Sequence, residues 1–266
     1  MSIIRKNNIH IRGNQDAAQT LVLGHGFGID QQSFSQVIPA FEKDYRIVLY
    51  DNVGGGQADL AAFSPMRYAT TNGYVTDLMD ILQELQLPRV TFVGHSVSGM
   101  IGMLSAIKNP DYFEQVVLMG SSPRYLDDPA ANYTGGFDDA ALESLFEAME
   151  TNYQAWAIGF SALAMRNQER PELAEAFAMT LKEIRPDIAV SVARAIFHLD
   201  HRQELAKVSK PVLIIQTAND IAVPPVVSEY MEQHIPGSKR IKVQTQGHFP
   251  HISAPAEVIG ALQSFL

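Results

Sequence analysis

Ser96, Asp220 and His248 can do nucleophilic chemistry together, and they occur in that order along the chain. A serine hydroxyl is a weak nucleophile at neutral pH and needs a base to take its proton. His248 can take that proton and return it to a leaving group. Asp220 can hold the imidazole in the right tautomer and stabilise its cation. Each of the three follows a predicted strand: the β-branched and aromatic run Val90 to Val93, the apolar run Val212 to Ile215, and the short Ile241-Lys242-Val243. Three strand ends thus bring the three side chains to one sheet edge. Ser96 stands in Gly94-His95-Ser96-Val97-Ser98. This follows G-x-S-x-G except at the last position, where Ser98 stands and Gly99 comes one residue late. A strand, a sharp turn and a helix with serine at the apex lift the hydroxyl clear and aim the next N–H at an oxyanion. Upstream lies a second glycine turn, Gly24-His25-Gly26-Phe27-Gly28. The N–H groups of Phe27 and Val97 are the expected oxyanion hole.

Other residues compete for these roles. His251 is an alternative base, but the preceding Gly247 and the shorter distance from the strand favour His248. Asn219 carries no charge and is a poorer third member than Asp220. The pairs His248/His251 and His198/His201 have an i,i+3 spacing open to a metal. With no cysteine and no set of carboxylates nearby, neither metal nor cofactor is expected. His25 and His95 read as orienting or packing residues. The sixth position counted from Gly24 is Ile29, so the dinucleotide fingerprint fails. Asp51 to Gly56 is not followed by Gly-Lys-Ser/Thr, so it is no phosphate loop. It reads as a flexible turn crossing the sheet's carboxyl edge.

The elements that must position these residues alternate. Strands are expected at Ile9–Arg12, Thr20–Leu23, Ile47–Tyr50, Val90–Val93, Val116–Met119, Pro211–Gln216 and Ile241–Val243. Helices are expected over Ser33–Phe41, Gly73–Leu87 (Val75, Leu78, Met79, Leu82 and Leu85 at helical spacing, stopped by Pro88), Met100–Lys108 and Ala256–Phe265. Alternating strands and helices mean a doubly wound, mostly parallel sheet with ligands at its carboxyl ends. From Pro123 to His201 the rhythm changes to four amphipathic helices, about 138–151, 153–166, 171–184 and 187–199. They form an inserted cap, and some of its aromatic residues should line an apolar pocket.

The whole-chain numbers exclude several classes. A length of 266 residues, 46% of them apolar, suffices for one α/β domain with an insertion. A net charge of -9 gains nothing from phosphate backbones, so no nucleic-acid partner is expected. Without cysteine there is neither disulfide nor thiolate chemistry. No run approaches the ~18 apolar residues of a membrane span, and Met1 to Lys6 lacks the apolar stretch of a signal peptide. The expectation is a cytoplasmic protein with no membrane partner.

The motifs together resemble the α/β-hydrolase fold. Within it they resemble the branch of the karrikin and strigolactone receptors and the bacterial sigma-B stress regulator of hydrolase fold. The stretches that carry the resemblance are Gly24 to Gly28, Gly94 to Ser98, Ser122-Pro123-Arg124-Tyr125, Arg185-Pro186-Asp187-Ile188, Asp220-Ile221-Ala222-Val223-Pro224 and Gly247 to His251. The resemblance covers nearly the whole chain, and Ser98 is what the plant receptors carry. It implies a core of residues 1–123 and 202–266 and a four-helix V-shaped lid over 124–201. It implies a pocket lined by Phe27, Tyr125, Trp156, Phe160, Phe197 and Ala222. It also implies a small hydrophobic ester or butenolide-type lactone, slow turnover, and a signalling protein docking on the lid. The residues themselves say only that the ligand is apolar, uncharged and small. They leave open a metabolic esterase or lactonase, and a cofactor-free C–C hydrolase or perhydrolase.

Overall fold

The computed structural model describes residues 2–266. Seven strands form one sheet: β1 (His10–Gly13), β2 (Thr20–Gly24), β3 (Arg46–Tyr50), β4 (Val90–His95), β5 (Phe113–Met119), β6 (Val212–Ala218) and β7 (Lys239–Gln246). Their order is β1-β3-β2-β4-β5-β6-β7. Only β1 runs antiparallel, along the edge beside β3; the other pairings are parallel. The inner strands are buried on both faces, which is why they read as unbroken apolar runs. Successive side chains go to opposite faces. Val22, Val48, Phe92 and Leu118 join one core layer. Leu21, Leu23, Ile47, Leu49 and Val93 join the other.

The helices are α1 (Ile3–Lys6), α2 (Thr71–Glu84), α3 (Val97–Lys108), α4 (Asp139–Thr151), α5 (Tyr153–Met165), α6 (Pro171–Glu183), α7 (Pro186–Phe197), α8 (Pro225–His234), α9 (Pro250–Ser253) and α10 (Pro255–Gln263). No helix among the described residues is long and apolar enough to cross a membrane. The helix expected over Ser33–Phe41 is instead two 3₁₀ turns, Gln31–Phe34 and Ile38–Ala40. Pro39 has no N–H to give, and its ring clashes with the carbonyl a turn earlier. Helix α2 stops at Glu84, before Pro88, with Gln86 in the left-handed region at φ 51°. Helix α8 was not expected. Only Val227, Ser228 and Met231 of its ten residues are buried, too few to mark a stripe.

Helices α4 to α7 lie between β5 and β6 in the chain. Asp138 and Asn152 cap α4 and α5, accepting from Ala141 N at 2.7 Å and Ala155 N at 3.1 Å. Pro171 and Pro186 occupy the first positions of α6 and α7, where no N–H is needed. The two chain segments leading into and out of this insertion are clasped together. Arg124 pairs with Asp200 as an antiparallel bridge and through a 2.7 Å ion pair, and Arg202 reaches Asp128 at 2.8 Å.

Candidate active site

Ser96 joins β4 to α3 with φ 56° and ψ −126°. Such a conformation in a residue other than glycine costs on the order of 1–3 kcal/mol and persists only where its surroundings force it. Here they do. The Ser96 N–H donates to the Met119 carbonyl at 2.8 Å, and its carbonyl accepts from Gly99 N at 3.0 Å. The tight approaches fall on two glycines. A Cβ at Gly94 would lie 2.4 Å from Gly99 N, and one at Gly99 would lie 2.0 Å from Ser121 Oγ. The glycine that comes one residue late in the motif is therefore one that close packing requires. Ser98 fits because its side chain turns inward.

The three candidate residues meet as the chain order implies. His248 Nε2 lies 2.9 Å from Ser96 Oγ, and His248 Nδ1 lies 2.8 Å from Asp220 Oδ2. The geometry assigns the tautomer: Nδ1–H donates to the carboxylate and Nε2 accepts from the hydroxyl. The second carboxylate oxygen, Oδ1, accepts from the N–H groups of Ala222 at 2.8 Å and Val223 at 3.1 Å. Asp220 is thus pinned from both sides. All three residues are buried, so their mutual attraction is weakly screened. Asn219 sits in the left-handed region and turns its amide toward Gln246 at the surface.

His248 is held by its backbone. Its N–H donates to the Ala164 carbonyl on α5 at 2.8 Å. Its carbonyl accepts from His95 Nε2 at 2.8 Å. His95 is fully buried, and its pKa is pushed well below the usual histidine value by desolvation, with His251 and His248 adding to the effect. It is a neutral strut. His251 lies elsewhere, packed 4.8 Å from the Phe34 ring and 4.5 Å from the His95 ring. Neither of its ring nitrogens has a partner among the described residues. His198 and His201 bond separately, to the Arg194 carbonyl and to Thr71 Oγ1.

The N–H groups of Phe27 and Val97 make no hydrogen bond among the described residues. Gly26, next to Phe27, has no room for a side chain: a Cβ there would lie 2.9 Å from the Ser96 Cβ and 2.5 Å from His95 Nδ1. Two unengaged donors beside a nucleophile can stabilise a developing oxyanion.

A narrow apolar cavity opens beside these donors, between the glycine turn, α2, α3 and α7. Phe27, Tyr74, Val97, Ile101, Val192 and Ile196 are among its walls, and no Asp, Glu, Lys or Arg lines it. Of the six residues expected in the pocket, Phe27 is among the walls of this cavity. Tyr125 and Phe197 pack edge to face at 5.1 Å inside an aromatic cluster, although the Tyr125 phenol stays close enough to feel the Ser96 hydroxyl. Trp156 and Phe160 stack on each other at 5.0 Å, half-buried. Ala222 contributes its N–H to Asp220. Apolar residues of α3 and α7 line the cavity as well.

Sequence reasoning also missed Asn52. The loop from Asp51 to Gly56 is not a flexible turn. Its buried Asp51 carboxylate accepts from Gln31 N at 3.0 Å, Gln57 N at 2.9 Å and Asn8 Nδ2 at 2.8 Å. Asn52 then reaches the glycine turn, donating to the His25 carbonyl at 3.0 Å. A pair of polar residues directly after a buried strand was the available signal, because that place is the ligand edge of such a sheet.

Comparison with known proteins agrees with this architecture. Residues 19–255 match the alpha/beta hydrolase fold family. The chain is 42% identical to the strigolactone esterase RMS3 of Pisum sativum, over 96% of this chain and 95% of that one. It is 42% identical to the Karrikin insensitive 2 receptor CA of Petunia hybrida, over 98% and 96%. A solved hydrolase from Oleispira antarctica superimposes with a TM-score of 0.94 at 34% identity, covering 99% of this chain and 95% of that one. The chain therefore belongs to the α/β-hydrolase fold family, as a serine ester hydrolase of the group that holds these strigolactone esterases and karrikin receptors.

Proposed function

We propose that the protein is a ligand sensor that binds and slowly hydrolyses a small, uncharged, hydrophobic ester or butenolide-type lactone. The observation that carries this is the charge-free apolar cavity beside the Phe27 and Val97 N–H groups. A charged ligand would lose its hydration there and find no partner. Ser96 Oγ attacks the ester carbonyl while His248 Nε2 takes its proton. Asp220 stabilises the imidazolium, and the N–H groups of Phe27 and Val97 bind the oxyanion. His248 then protonates the leaving group, and water repeats the sequence on the acyl-enzyme.

In this reading residues 124–201 form a lid, as in the bacterial sigma-B regulator branch, and the protein works in the cytoplasm. A signalling protein docks on the lid's outer face, where Ile158, Leu163 and Met179 stand exposed. The names of the plant relatives support a receptor role. The experiment is intact-mass spectrometry after mixing with a butenolide that carries a good leaving group. An adduct that accumulates within the first turnover and decays over many minutes is the expected result. Rapid turnover with no adduct means a metabolic esterase or lactonase. No reaction with any activated ester or lactone overturns the hydrolytic reading.

A further inference from the structure

Ser98 departs from G-x-S-x-G, and its hydroxyl points away from the base. It is fully buried and donates to the His25 carbonyl at 2.5 Å. It accepts from the Asn52 side-chain amide at 3.0 Å, and that same nitrogen donates to the His25 carbonyl at 3.0 Å. The Asn52 N–H donates to His25 Nε2 at 2.9 Å, and His25 Nδ1–H donates to the Gly26 carbonyl at 2.8 Å. Four of these bonds end on His25 or Gly26, the two residues ahead of Phe27. Gly24 leaves the room this network needs: a Cβ there would lie 2.9 Å from both Ser98 Cβ and the Tyr50 hydroxyl.

A glycine turn is conformationally free unless something holds it. An oxyanion donor is effective only when it is aimed before the charge develops. We infer that Ser98 and Asn52 are positioning residues, which lock the His25–Gly26 backbone so that the Phe27 N–H faces the oxyanion. The hydroxyl at position 98 thus does what no glycine there could do. It ties the nucleophile's own helix, α3, to the loop that carries the second oxyanion donor. Attack and stabilisation are thereby built on one rigid unit. The inference rests on the Ser96 reading proposed above.

The test uses Ser98→Ala, Asn52→Ala and the double variant, with a p-nitrophenyl ester as substrate and an alkylboronic acid as inhibitor. The boronic acid adds to Ser96 Oγ and places an oxygen where the oxyanion forms. Losing a donor outright costs about 10²–10³ in kcat, so loosening one should cost about tenfold. Each single variant is expected to lower kcat about tenfold with KM within about twofold. The boronic acid Ki should rise by the same factor, and the pH–rate profile should not move. The double variant should lose little more than the worse single, because both side chains act on one carbonyl. Full kcat in both single variants overturns the inference. So does a fall in kcat with an unchanged boronic acid Ki, or a raised KM with kcat intact. If Ser98→Ala does not fold, Asn52→Ala, in a half-buried loop, decides alone. A wild type that cannot hydrolyse the ester, or whose hydrolysis survives Ser96→Ala, fails the earlier reading instead.

Discussion

Ser96→Ala lowers kcat for a p-nitrophenyl ester by about 10⁴ or more, while the melting temperature and the affinity for an apolar ligand stay near wild type. The loss is large because nothing else can take over the attack. The chain has no cysteine. Among neighbouring hydroxyls, Ser121 is buried behind Gly99 and the Tyr125 phenol is held neutral by its burial. What remains should be the contribution of the Phe27 and Val97 donors and of binding, since removing one triad member leaves those intact. Stability changes little, because the alanine occupies the same backbone conformation and one buried hydrogen bond contributes only about 1 kcal/mol. Steady-state rates and a thermal melt on the same preparation check this. Activity near wild type in the folded variant would remove Ser96 from the mechanism.

The catalytic constellation was legible in the sequence because its parts are local. Val90 to Val93, Val212 to Ile215 and Ile241-Lys242-Val243 read as strands, and Ser96, Asp220 and His248 each follow one of them within a few residues. In a parallel sheet that arrangement puts those residues on one edge whatever the details. The cavity walls were not legible, because they depend on how α7 meets α2 and α3. Val192 and Ile196 are ordinary apolar residues at helical spacing. Nothing in their types separates a residue facing a cavity from one facing a neighbour. The aromatic residues drew attention by size, yet Phe197 is packed against Tyr125, Phe137 and Phe146. Asn52, and what Ser98 bonds to, were hidden for a third reason. Their partner is a backbone carbonyl 27 residues from one and 73 from the other, and main-chain atoms leave no mark in a sequence.

His248→Ala costs about 10⁴ or more in kcat, whereas His251→Leu leaves kcat within about threefold of wild type. The two histidines are three residues apart and do different things. The imidazole of His248 bridges Ser96 Oγ and Asp220 Oδ2. The imidazole of His251 touches the rings of Phe34 and His95 and leaves both nitrogens without a partner. An apolar side chain of similar size in its place removes two unsatisfied polar atoms. Near pH 7 the variant should therefore be at least as stable as wild type. Its response to acid should differ as well. Burial, with His248 and His25 nearby, pushes the His251 pKa down to about 3. Above about pH 6.5 the folded and unfolded chains both hold this ring neutral, and it contributes no pH dependence. Below that the unfolded chain takes up a proton that the folded chain refuses until about pH 3. Stability is lost across this window by up to about 1.4 kcal/mol per pH unit. His95, whose pKa is also depressed, adds its own loss in both proteins. Urea midpoints measured from pH 7.5 to pH 4.5 should fall less steeply for His251→Leu than for wild type. Parallel curves would mean that His251 is protonated in the folded protein, and an inactive His251→Leu would make it part of the catalytic relay.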